Sequence, residues 1–191
     1  MRKIFYFIAI LLILSCNSSK KAASTTAENL YVEDLLGMNS EELKSIFPIE
    51  SIQEDTGLFE ECTEERAYTI IHANTNDELH ITWKDPNRTQ IDDIRITSNG
   101  KWRSNSGVEI GTSYASLNEL NNTKISFYGF GWDYSGAVLW NEGKLERTNM
   151  HVFLAPKNEP SNKFYGDQVV EASPEEVKAL DLIVQSIIFK N

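Results

Sequence analysis

The side chains best suited to chemistry are few and widely spaced. Three histidines, His72, His80 and His151, fall in segments of strand character. None stands in an HExxH pair or beside a CxxC partner, so their spacing does not describe a zinc site. Asp92 and Asp93 are adjacent; in a regular strand they point to opposite faces, the wrong arrangement for two carboxylates sharing one substrate. The run from Glu60 to Glu65 lacks the spaced Asp, Asn and Gly of an EF-hand loop and reads as a solvated acidic loop. Cys62 lies inside it among Glu60, Glu61, Glu64 and Glu65, neighbours that disfavour a thiolate nucleophile and leave pairing between chains as the better use of that thiol. No Gly-x-Ser-x-Gly elbow, P-loop or Gly-x-Gly-x-x-Gly turn occurs. The sequence therefore predicts no catalytic residue, no metal and no cofactor.

The densest local feature is Phe127-Tyr128-Gly129-Phe130-Gly131-Trp132-Asp133-Tyr134-Ser135-Gly136. In an unbroken strand, Tyr128, Phe130, Trp132 and Tyr134 share one face while Gly129, Gly131, Asp133 and Ser135 share the other. Two readings stand. The aromatics fill a core and the glycines permit a bulge or close approach; or Tyr128, Phe130, Trp132, Asp133 and Tyr134 form an exposed platform for a protein partner or a glycan, extended by Trp102 and Tyr114.

These residues need elements to position them. Gly37 and Gly111 each precede a polar N-cap candidate and then apolar residues at helical spacing, Leu43, Ile46 and Phe47 in one case and Leu117 and Leu120 in the other. Pro48 and the Asn121–Asn122 pair supply the stops. After the first helix, 67–73, 78–84 and 91–97 read as strands, separated by short turn-forming gaps that suit antiparallel hairpins. After the second, 124–132, 136–140 and 149–154 repeat the order. Ser173, Pro174, Glu175 and Glu176 form a capping box, which predicts a short helix to about Asp181 and then a strand over 182–189. The fold class is α+β: two tandem units, 30–104 and 105–191, each a short helical segment followed by an antiparallel β-sheet.

The N-terminus has a different character. Arg2 and Lys3 precede eleven apolar residues, Ile4 to Leu14, then Ser15 and Cys16, the order of an export signal. At ~1.5 Å per residue that run covers about half of a ~30 Å hydrocarbon core, too little for a stable transmembrane helix. Ile13-Leu14-Ser15-Cys16 resembles the lipobox of bacterial lipoproteins, with Leu14 bulkier than is usual at that position. The resemblance implies diacylglycerol on the Cys16 thiol and cleavage before it. Residues 1–15 are then a signal peptide and 16–29 a lipidated cysteine with a flexible tether, rich in Ser, Thr, Ala and Lys and without an aromatic residue. The implied membrane partner is a lipid bilayer, held through acylated Cys16. Asn17 in place of Asp after the cysteine resembles the enteric sorting signal for the outer membrane. With Cys16 acylated, Cys62 has no intrachain disulfide partner, so packing alone stabilises the domain.

The formal net charge of −10 becomes more negative once Arg2 and Lys3 are removed, and it opposes binding to nucleic acid or to an anionic membrane surface. Tandem units of this length resemble the β-lactamase inhibitory protein fold. The first, through Gly37, Met38, Asn39, Glu41, Glu42, Leu43 and Pro48, also resembles the SmpA/OmlA-type outer-membrane lipoproteins, and the run Phe127–Gly136 resembles uncharacterised Bacteroidota lipoproteins. The expected function is an envelope lipoprotein that is a non-enzymatic binding or assembly module, presenting a sheet surface to a protein partner. The alternative is an envelope hydrolase or glycan-binding protein using 127–136.

Overall fold

The computed structural model describes residues 31–59 and 63–191. The expected signal peptide, the tether with Cys16, and Cys62 lie outside them. The first helix, α1 (Ser40–Ile46), starts where Asn39 Oδ1 accepts the Glu42 N–H at 3.0 Å and Glu42 Oε2 accepts the Asn39 N–H at 2.9 Å. This reciprocal pair satisfies two donors that the first turn leaves orphaned. Four strands follow: β1 (Ile52–Phe59), β2 (Glu64–Ile71), β3 (Leu79–Trp83) and β4 (Ile91–Ile96). The sequence did not announce β1, because it is an edge strand whose residues are almost all half-buried or exposed and so carry no alternation to read.

The second part begins with α2 (Tyr114–Asn121), capped by Ser113 and ended by Asn122 in the left-handed region. Strands β5 (Ser126–Tyr128), β6 (Val138–Leu139), β7 (Met150–Pro156) and β8 (Val169–Val170) follow, then α3 (Pro174–Leu180) and β9 (Leu182–Lys190). The change from α3 to β9 takes one residue. Ser173 and Glu176 form the expected capping box, Asp181 turns the chain at φ 48°, and the strand starts at once.

One sheet has the order β1-β2-β3-β4-β9-β7 with every neighbour antiparallel, and a smaller one has the order β6-β5-β8. The architecture is therefore α+β with antiparallel sheets and three α-helices among the described residues. An antiparallel bridge between Ala137 and Phe153, with the Leu154 N–H donating to Gly136 O at 2.8 Å, joins the small sheet to the free edge of β7.

One face of the large sheet supplies the core. Ile71, Ile81, Trp83, Ile94, Ile187 and Phe189 are buried together with Leu43 and Phe47 of the first helical segment and Tyr114 and Leu117 of α2. Each such side chain contributes about 1.5–3 kcal/mol when fully buried. Two polar groups of the core are paired: Trp83 Nε1–H donates to Thr69 Oγ1 at 2.8 Å, and the Tyr114 hydroxyl donates to Ile125 O at 2.8 Å.

Two expectations need correction. The strand expected over 124–132 ends at Tyr128. Gly129 then passes so close to the backbone of Phe164 and Gly166 that a Cβ would strike both carbonyls, and the Phe130 N–H donates to Phe164 O at 2.7 Å. Trp102 and Tyr114 do not extend a surface, because both are buried in the core.

Candidate functional site: the uncovered face of the sheet

Alternation along the strands sends every second side chain to the face opposite the core. Register aligns these residues in rows across the sheet. One row runs Gln53, Ile70, His80, Arg95, Ile188, His151, and the next Asp55, Tyr68, Thr82, Asp93, Lys190. Through β7, Phe153 pairs with Ser186 on one side and Ala137 on the other, and Ala137 O accepts the Tyr128 N–H at 2.9 Å. The face thus continues into the small sheet at Tyr128. Its residues are half-buried or exposed, and several are large and apolar: Tyr68, Ile70, Phe153 and Ile188. A solvated strand face normally carries polar residues. The runs Tyr68-Thr69-Ile70-Ile71 and Ile187-Ile188-Phe189 put apolar groups on both faces. That pattern is the signal of this face in the sequence.

The charged groups on this face are interlocked. Between β3 and β4 the register passes from Thr82–Asp93 to Trp83–Ile91, so Asp92 is the extra residue of a β-bulge. The expectation that Asp92 and Asp93 diverge therefore fails: a bulge sets two consecutive residues against one on the neighbouring strand and re-aims the side chain. Both carboxylates reach Lys190, at 2.9 Å for Asp93 and 3.6 Å for Asp92. Asp92 also lies 3.0 Å from Arg66, whose other nitrogen is 2.8 Å from Glu64. Burial by itself would lower the Lys190 pKa, but Asp93 and Asp92 outweigh it and hold the ammonium above its ordinary value. Two acids that share cations in this way brace β2, β4 and β9.

The histidines occupy three environments. His80 Nε2 is 2.7 Å from Glu78 Oε1. His72 Nε2 accepts from Lys101 Nζ at 3.0 Å, and burial, followed by the charge of Lys101, pushes its pKa down. His151 is exposed on the uncovered face. Among the described residues no three His, Cys, Asp or Glu side chains come together as a metal site would require.

The aromatic segment 127–136 divides between two roles. Phe127 and Phe130 are buried and stacked with ring centroids 5.7 Å apart. Trp132 and Tyr134 are 63% and 58% exposed on a tight turn, in which the Ser135 N–H donates to Trp132 O at 2.9 Å and the Gly131 N–H donates to Ser135 Oγ at 3.1 Å. Tyr134 leans on Tyr128 with centroids 5.5 Å apart. Asp133 is exposed on the same turn. Gly136, at φ 72°, closes the turn where a Cβ would collide with the Leu154 carbonyl. The single aromatic face expected from an unbroken strand does not form. Phe130 goes inward, and Tyr128, Trp132, Asp133 and Tyr134 remain as a surface group at the far end of the uncovered face.

No protein family matches the chain, and no curated protein matches it. Among solved structures, an uncharacterised protein of Escherichia coli, YfeY, is similar over 73% of this chain and 81% of that chain, at 12% sequence identity and a TM-score of 0.45.

Proposed function

We propose that this chain is a lipid-anchored envelope protein that binds a protein partner on the uncovered face of its sheet. The observation that carries the reading is the run of large apolar and aromatic residues on a face that no core covers among the described residues, from Tyr68 and Ile70 through Ile188 and Phe153 to Tyr128 and the exposed Trp132 and Tyr134. Contiguous apolar surface of this kind marks interaction sites, and aromatic residues concentrate contact energy there.

The tandem organisation is part of the proposal. It is supported by the strand order, in which the last strands of the two parts, β4 and β9, lie side by side, flanked by β3 and β7. Beyond them lie β2 and, through the Ala137–Phe153 bridge, β6. A duplicated unit joined about a pseudo-twofold axis yields this order and one broad face instead of two small ones. The lipobox-like Ile13-Leu14-Ser15-Cys16 supports a bilayer anchor, and Asn17 supports the outer membrane as its place.

Site-specific photo-crosslinking in intact cells tests the reading. A crosslinker at Tyr68, Phe153, Ile188 or Trp132 is expected to give one discrete adduct that is absent when it is placed at Lys44 on α1. Adducts from Lys44 and none from the sheet face would refute it. Trp132→Ala should keep the fold and reduce the adduct, and Cys16→Ala should move the protein to the soluble fraction.

A further inference from the structure

The uncovered face has a pocket of about 410 Å³ at the β2, β3 and β4 rows, with Phe59, Tyr68 and Ile70 forming apolar walls beside Thr82, Asp93 and Arg95. Most of the ionic groups lining it already have partners. Asp93 holds Lys190 at 2.9 Å, Arg66 holds Asp92 and Glu64, and His80 holds Glu78. Arg95 is the exception: it is exposed at the centre of its row, between His80 and Ile188, and no hydrogen bond or ion pair reaches its guanidinium among the described residues. Close by in the next row, Thr82 Oγ1 is buried with no hydrogen-bond partner. A buried hydroxyl costs free energy until something pairs with it.

We infer that this pocket receives a carboxylate carried on an apolar body, specifically an acidic side chain of the protein partner adjacent to an apolar one. The guanidinium fork matches a planar carboxylate through two parallel N–H donors, and Thr82 lines the pocket from the neighbouring row. The apolar part of the ligand lies against Phe59, Tyr68 and Ile70. Arg95, with no acid in contact with it among the described residues, pairs with a single negative charge. Lys190 and Arg66 are already engaged by Asp93 and Asp92, so a dianionic phosphate would bring a second negative charge with Arg95 alone left to offset it, and the local charge favours the monoanion. The inference rests on the sheet face being a docking surface and names the chemistry that this surface prefers.

Two dipeptides of equal shape test it: acetyl-Phe-Glu-amide and acetyl-Phe-Gln-amide, titrated into the isotope-labelled full chain and followed by two-dimensional NMR. The expected result is saturable shifts at the amides of Tyr68, Thr82 and Arg95, with the Glu peptide at least tenfold tighter than the Gln peptide. Arg95→Gln should bring the Glu peptide down to the affinity of the Gln peptide while leaving the spectrum of the core unchanged, and Arg147→Gln, outside the pocket, should change nothing. Equal affinities for the two peptides would overturn the carboxylate preference while leaving the docking face intact. If neither peptide shifts these amides, the pocket itself is refuted, and the crosslinking result then decides separately whether the face binds protein at all.

Discussion

The two faces of the six-stranded sheet use similar residues to opposite ends. On the core face, Ile81, Ile94, Ile187 and Phe189 are sealed under the helices. On the uncovered face, Ile188 stands between Ile187 and Phe189 in β9, and Tyr68 and Ile70 of β2 and Phe153 of β7 join it; all four keep part of their surface in water. The core face pairs its polar groups internally, as Trp83 and Thr69 do. Among the described residues, the uncovered face leaves Arg95 without a partner and the Thr82 hydroxyl unbonded. Residue type along a strand therefore says that both faces are sticky, and only the layer above each face says which is core and which is available.

The sharpest break of this comparison is a matched pair of truncations. Phe189→Ala, on the core face, should lower the unfolding free energy by about 3–5 kcal/mol, the range for a buried aromatic. Phe153→Ala, on the uncovered face, should cost roughly 1 kcal/mol, because part of its surface is already in contact with water. Urea melts of the two variants measure both, and similar losses would show that the second face is covered after all.

Gly136→Ala comes next. It combines an unfavourable φ of 72° with a clash against the Leu154 carbonyl and should cost about 2–3 kcal/mol. It should also alter Trp132 fluorescence as the aromatic turn lifts from β7. A variant with wild-type stability would mean that the small sheet is not held to the large one at this point.

A smaller contrast comes from two threonines. Thr69→Val leaves the indole N–H of Trp83 buried without an acceptor and should cost about 1–3 kcal/mol, whereas Thr82→Val removes a hydroxyl that bonds to nothing and should be neutral or slightly stabilising. Equal costs in the same melts would contradict the difference between the faces.

The least effect is expected from pH, at the rim of the sheet. Burial tends to raise the Glu54 pKa, but the hydrogen bonds from Ser40 and Lys44, and then the charges of Lys44 and Arg88, outweigh it, so the carboxyl titrates below its ordinary value of 4.5. A depressed folded-state pKa contributes stability at pH values above the unfolded one, and that stability is lost as the pH falls through the folded value. Glu54→Gln should therefore reduce stability slightly at neutral pH and flatten its decline below about pH 4.5. An unchanged acid limb would show that the contacts joining α1 to β1 are too solvated to matter.

Much of the local structure was legible. Asn39 and Ser173 were readable as caps because a capping box is a short-range pattern, and the hairpin strands 78–84 and 91–97 were readable because each buries one face. Strand β1 was not, since an edge strand with Gln53, Glu54 and Asp55 exposed has no hydrophobic period. Within the candidate site, the sequence leaves the aromatic run open between core and surface; the chain divides it, with Trp132 and Tyr134 exposed and Phe130 buried, because the strand gives way at Gly129. Asp92 and Asp93 depart from simple strand alternation for a related reason. Whether two neighbours share a face depends on the register with β3, and the bulge that brings both acids to Lys190 is a property of the pairing.

By itself the sequence determined the α+β class, the helix starts and stops, the helix-to-strand change at Asp181 and the acidic charge, because each follows from interactions within a few residues or from composition. The tertiary structure alone decided the rest: which of two apolar faces is covered, that β4 meets β9, that the glycine-rich run breaks against the backbone of Phe164 and Gly166, and that Arg95 has no partner among the described residues beside the apolar pocket. Those outcomes depend on contacts between segments far apart in the chain, where packing and register outweigh local preference.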